Sequence, residues 1–173
     1  MGDAQYVWCD ATGSGRNVFV FFRRHFLIRG AVKKALLCLF ADSRYRLRIN
    51  DVVIAYGPGR FVPQFPEFDT FDLAPYLSTG ENAITVEVNS FGIETFESMP
   101  ESTGAFIAWG TIEHEGGPIS LATPGDWKAQ RADAWDAHTP RFSFSQSRPA
   151  MPMQRDKCKI QEVQLQISVS HLR

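Results

Sequence analysis

ADSRYRLRINDVVIAYGPG (Ala41–Gly59) and FDTFDLAPYLSTGENAITVEV (Phe68–Val88) decide the fold. In the first stretch Tyr45, Leu47 and Ile49 alternate with Arg44, Arg46 and Arg48, the period-two pattern of a half-buried strand. Asn50-Asp51 then supplies two residues that tolerate a left-handed backbone. Val52, Val53 and Ile54 resume the apolar run, which predicts a hairpin. In the second stretch, Asp72 to Leu77 reads as a short helical turn that Asp72 caps, with Leu73 and Leu77 plugging the core. Ser78 to Asn82 makes a polar turn, after which Ile84, Val86 and Val88 share one face of a strand and Thr85 and Glu87 the other.

Outward from these, strand signals recur. Asn17–Ile28 is aromatic and β-branched, apolar on both sides at first and half exposed later. Lys34–Phe40 is short, and its flanks favour a strand over a helical turn. Gly104–Ile112, Ile119–Thr123 and Trp127–Arg131 complete at least eight strands at a spacing of roughly ten residues. The expectation is an all-β chain: an antiparallel β-sandwich of jelly-roll type. No repeat or linker divides it, so residues 1–173 read as one domain, with 150–173 set apart as a C-terminal extension without an assigned place.

Composition narrows the function classes. A 173-residue chain buries about 70% of its unfolded surface. Fourteen Phe, four Trp and four Tyr leave aromatic material over for a surface. A net charge of −1 gives no electrostatic reason for nucleic acid or an anionic membrane as partner. The longest apolar run, Ala35–Ala41, is too short to span a bilayer, and the N-terminal residues lead into no signal core; the cytoplasm is the expected location. Cys9, Cys38 and Cys158 show no CxxC spacing, so buried free thiols are expected, Cys38 among them.

Four segments resemble a known family. Phe68-Asp69 through Tyr76-Leu77, followed by Gly80-Glu81-Asn82, resembles the signature of jelly-roll, galactose-binding-like accessory domains in glycoside hydrolases. Ala41–Asn50 resembles the strand that precedes it there. Phe22-Arg23-Arg24-His25-Phe26 and Asp126-Trp127-Lys128 agree as well, so the resemblance to the N-terminal sandwich of bacterial α-L-rhamnosidase-like enzymes covers Trp8 to Trp135. Two departures stand out: Asn50-Asp51 replaces the family's Asn-Gly turn, and the tail beyond Trp135, with the strand-like Gln161–Val169, has no counterpart. The resemblance implies an accessory domain whose relatives carry a separate α/α-barrel catalytic domain. This chain is too short to hold one, so it is expected not to be an enzyme on its own.

The residues agree with that expectation. Glycoside hydrolysis needs two carboxyl groups about 5–10 Å apart, yet nothing in the spacing of Asp69, Asp72, Glu94, Glu97 and Glu101 singles out a pair. His114 between Glu113 and Glu115 lacks a second His at ligand spacing. No cofactor is expected, and a structural calcium ion has no motif behind it. For binding, the Gly57–Phe68 region offers Tyr56, Arg60, Phe61, Gln64 and Phe65 on a Pro-stiffened segment, with Arg131 as a further polar candidate. Aromatics and planar polar groups suit a carbohydrate. The same aromatics suit packing against a neighbouring catalytic domain or a second copy of the chain. Trp109 is expected in the core. Arg44, Arg46 and Arg48 are expected to form a solvated stripe paired with Glu87 or Glu113.

Overall fold

Side chains that alternate along a strand give it one apolar face, and burying that face takes a second sheet. The computed structural model describes residues 2–61, 65–95, 103–132, 160–163 and 166–167. These form two six-stranded sheets, and every strand pairing is antiparallel. The strands are β1 (Val7–Trp8), β2 (Val18–Ile28), β3 (Val32–Asp42), β4 (Arg44–Ile49), β5 (Val52–Gly57), β6 (Asp69–Asp72), β7 (Gly80–Ser90), β8 (Ala105–His114), β9 (Gly117–Ser120), β10 (Lys128–Ala132), β11 (Ile160–Val163) and β12 (Gln166–Ile167). The first sheet runs β12-β1-β8-β3-β6, with β9 also beside β8; the second runs β11-β10-β2-β7-β4-β5.

The expected alternation becomes the core. Val20 and Phe22, Leu47 and Ile49, and Ile84, Val86 and Val88 point inward from the second sheet; Leu37, Leu39, Phe106, Ala108 and Ile112 meet them from the first. An aromatic chain runs through the centre. Phe22 stacks on Phe106 at 4.4 Å between centroids, Trp127 meets Phe106 edge-on at 5.3 Å, and Trp8 lies 5.9 Å from Phe22. The Trp127 indole donates to the Leu121 carbonyl at 3.0 Å, which satisfies its one polar atom.

Both turn devices form. Asn50 and Asp51 take φ of 48° and 65°, and Ile49 pairs with Val52, so the β4–β5 connection is a two-residue turn with both residues left-handed. The Asp72 carboxylate accepts the Ala74 N–H at 3.0 Å and starts a single 3-10 turn, Ala74–Tyr76, next to the fully buried Leu73. Asn82 ties the two devices together. Its amide donates to the Ser78 carbonyl at 2.7 Å, and its oxygen accepts from the Asn50 side chain at 2.9 Å.

Several expectations are corrected. Trp109 is not in the core: it alternates with Ala108 and Gly110, lies on the outer face of the first sheet half-buried, and meets Phe68 edge-on at 4.9 Å. Cys38 is half-buried on that same outer face, 3.4 Å from the Thr70 hydroxyl, because its neighbours Leu37 and Leu39 take the inward positions. Of the two described cysteines the buried one is Cys9, whose thiol burial, reinforced by Asp10, pushes up to about 11. Strand β9 begins at Gly117 and ends at Ser120, earlier than the Ile119–Thr123 reading, because Leu121 turns into the core and Thr123 bonds the Ala108 and Gln5 backbones. Two short described segments of the tail pair with strands: β11 with β10 and β12 with β1. Cys158, Trp135, Glu97 and Glu101 lie outside the described residues.

Candidate functional site

The outer face of the second sheet gathers polar side chains that the core pattern turns away from the interior. On β4 these are Arg44, Arg46 and Arg48; on β7, Thr85, Glu87 and Asn89. Strand register sets them in rows. One row reads Gln130, Phe21, Glu87, Arg46 and Tyr56 across β10, β2, β7, β4 and β5.

Tyr56 belongs to that row because of one irregularity. From the Ile49–Val52 pair the hairpin register would set Tyr56 opposite Tyr45, an inward-facing residue. A bulge between Arg48 and Leu47 leaves Ile54 unpaired, so Ala55 faces Leu47 and Tyr56 faces Arg46. The ring moves to the outer face and stands 73% exposed.

Around it opens a cleft of about 440 Å³, lined by Arg44, Arg46, Tyr56, Pro58, Glu87 and Asn89. Arg46 Nη2 forms an ion pair with Glu87. The Glu87 carboxylate, and to a smaller degree the Tyr56 hydroxyl, raise Arg46 above its ordinary value against the opposing effect of partial burial. Arg44 is held over the Phe91 ring at 5.5 Å. The Asn89 amide donates to Asn17 at 3.2 Å. Guanidinium forks, a carboxylate, an amide and an exposed ring therefore stand around one opening, each fixed by a neighbour. The arrangement is suited to reading hydroxyls in a plane, with a ring to cover an apolar face.

Beneath the cleft the two sheets are joined by one polar contact. Tyr45, on β4, donates its buried hydroxyl to Asp69 on β6, and burial followed by this bond raises the phenol well above its ordinary value. Gly57 covers the pair: a Cβ there would lie 2.5 Å from the Tyr45 hydroxyl and 2.7 Å from the Asp69 carboxylate. Tyr45→Phe leaves Asp69 without this donor, and its expected cost is about 1–3 kcal/mol, measured as the change in urea-unfolding free energy.

The other residues expected from sequence do not all gather here. Arg60 and Phe65 are exposed in the segment after β5, Phe65 at 74%. Phe61 is buried, packed edge-on to Phe40 at 4.9 Å on the outer face of the first sheet. Gln64 lies outside the described residues. Arg131 is exposed on β10, three strands removed from β4, and alternates with Gln130 toward the opposite side of the sheet. Its charge acts on Cys9, whose thiol it lowers slightly. Of the Arg stripe's two expected partners, Glu87 takes Arg46, while Glu113 sits in the other sheet opposite Lys34 and Pro118.

Asp69, Asp72 and His114 have structural duties. Asp69 accepts from Tyr45, and Asp72 accepts the Ala74 N–H at the head of the 3-10 turn. The ring of the buried His114 faces the Arg29 backbone and accepts the Gly116 N–H at 3.0 Å. Among the described residues no three His, Cys, Asp or Glu side chains converge as metal ligands would.

No family model and no curated protein matches the chain. Solved structures do. The GH78 family rhamnosidase of Bacillus sp. GL1 matches with a TM-score of 0.75 and 30% identity, over 87% of this chain and 16% of its own. The chain is similar to one small domain of the GH78 α-L-rhamnosidases. The α-L-rhamnosidase of Aspergillus terreus matches over 76% of this chain and 17% of its own, with a TM-score of 0.59 and 21% identity. A lectin of Pleurotus ostreatus matches with a TM-score of 0.58 and 18% identity, over 87% of this chain and 41% of its own. At the identities of these last two the likeness is one of fold. The rhamnosidase-like chain thus spans about a sixth of the length of these two enzymes.

Proposed function

We propose that this rhamnosidase-like domain recognises carbohydrate through the cleft on the outer face of its second sheet. The observation that supports the reading is the exposed Tyr56 ring beside two arginines, Glu87 and Asn89 around an opening of about 440 Å³, a size in the range of small-ligand sites. Arg46 is held by an ion pair and Arg44 by a ring contact, so these two side chains lose little freedom on binding. The test is titration of the chain against a glycan array, with Tyr56→Ala, Arg44→Gln and Phe65→Ala as variants. Saturable binding that weakens at least tenfold in Tyr56→Ala and Arg44→Gln, and is unchanged in Phe65→Ala, is the expected result. A silent array would sink the reading.

A second reading rests on a different face. Phe65 and Phe68 are 74% and 53% exposed, and Phe68 lies against the half-buried Trp109 on the outer face of the first sheet. This apolar surface suits packing on another domain of a larger enzyme or on a second copy of the chain. It predicts dimers in sedimentation that dissociate in Phe65→Ala/Phe68→Ala and are indifferent to Tyr56→Ala.

A further inference from the structure

We infer that the same face carries a second subsite, which takes an anionic sugar unit, a uronate or a sulfate ester. The inference rests on the carbohydrate reading and names the ligand class that reading leaves open. Its first ground is a second cleft, of about 320 Å³, in which Phe21, Arg23, His25, Thr85 and Lys128 meet Asp51.

The second ground is register. Lys128 on β10 pairs directly with Arg23 on β2; Arg23 pairs with Thr85 on β7; and Thr85 pairs on its other side with Arg48 on β4. One row across four strands therefore reads Lys, Arg, Thr, Arg. Lys128 and Arg23 are like charges set directly opposite each other, an arrangement that weakens a sheet. Arg48 is half-buried with its Nε atom unmatched by any protein acceptor. Adjacent strands lie about 4.8 Å apart, so one carboxylate or sulfate above the row is within reach of both Lys128 and Arg23. The chain as a whole carries a net charge of −1, so the row is a local concentration of positive charge.

The two clefts differ in what they would select. In the first, Arg46 is already neutralised by Glu87. In the second, Asp51 stands against Arg23 and Lys128 together, with Arg48 next in the row. Thr85 and Glu87 are successive outward residues of β7, about 7 Å apart, so the clefts are neighbours and a short oligosaccharide extends over both. Phe21 lies in the Glu87 row and lines the second cleft, offering a ring between them. The first cleft reads hydroxyls and the second reads charge.

The experiment uses matched oligosaccharides: a panel bearing uronates, the same panel with its carboxyls reduced to primary alcohols, and sulfated counterparts. Each is titrated against the native chain, Tyr56→Ala, and Arg23→Gln/Lys128→Gln, whose side chains are on the surface and whose folding is checked by thermal melting. We expect at least one charged form to bind about tenfold more tightly than its neutral match, whether the uronate or the sulfate. That advantage vanishes in Arg23→Gln/Lys128→Gln and in high salt, while the neutral form keeps its affinity. If charged and neutral forms bind alike and Tyr56→Ala abolishes both, the anionic subsite is wrong and the carbohydrate reading stands. If nothing on the panel binds, both fall. A single-stranded oligonucleotide that outcompetes every saccharide would also overturn the inference, in favour of nucleic acid.

Discussion

Phe106→Ala is expected to lower the unfolding free energy by about 3–5 kcal/mol. Phe106 has no exposed surface and sits at the junction of the aromatic chain, stacked on Phe22 and edge-on to Trp127. Truncation removes the transfer energy of the ring and leaves a void between two further rings, each of which loses a pairing worth roughly 0.5–1.5 kcal/mol. The strands cannot close over the gap, since Phe106 is pinned by backbone pairing to Val7 on one side and Ala41 on the other. Single domains have about 5–15 kcal/mol in total, so the variant keeps only a part of its stability. Its melting temperature is expected to fall by about 10 °C or more. Phe65→Ala removes the same side chain from a 74% exposed position and is expected to change stability by less than about 0.5 kcal/mol. Equal losses from the two variants would mean that the ring cluster is not the centre of the core.

Gly110→Ala is expected to be at least as damaging, for a different reason. Gly110 lies in mid-strand on β8 with φ of 141°, paired with Leu37 on β3. A Cβ atom there would sit 2.1 Å from the Leu36 carbonyl oxygen, a backbone atom of the neighbouring strand. No rotamer change relieves that overlap. Either the β3–β8 ladder separates around Leu37 or the whole strand shifts, and both disturb the central pairing of the first sheet. Gly117 supplies the control: its φ of 108° is also unfavourable for alanine, but nothing lies within 4 Å of its Cβ position. Gly117→Ala therefore reports backbone strain alone, about 1–2 kcal/mol. Gly110→Ala is expected to exceed it by several kcal/mol in urea unfolding or to accumulate only as insoluble chain. Similar values for the two would remove the steric argument.

The sandwich was legible because its strands obey local rules. Tyr45, Leu47 and Ile49 could face the core only if Arg44, Arg46 and Arg48 faced out, and Asn50-Asp51 could only turn back on itself. The rhamnosidase likeness, read from Phe68–Leu77 and Ala41–Asn50, has its counterpart in the Bacillus sp. GL1 structure. The site was less legible, because it depends on pairings between distant strands. Nothing in the sequence says that β10 lies beside β2, so the meeting of Lys128 with Arg23 is invisible there. The place of Tyr56 turns on the unpaired Ile54, and no residue type in VVIAYG announces a bulge. The loop aromatics were read as one surface, whereas Phe40 and Ile107 give Phe61 an apolar seat that draws it out of solvent. Trp109 was misplaced for a related reason: β8 is apolar on both faces over Ala105–Trp109, so alternation gives no sign of which side is the core.

The placement of β11 and β12 bears on how the chain is made. The last described residues join opposite sheets, β11 beside β10 and β12 beside β1, only two residues apart in sequence. A chain emerging from the ribosome has β1 and β10 complete while their outer edges still await partners. Those edges are templates for pairing with a neighbouring nascent chain. The interval between synthesis of Ala132 and of Ile167 is thus one in which β10 and β1 lack the pairing that β11 and β12 later supply.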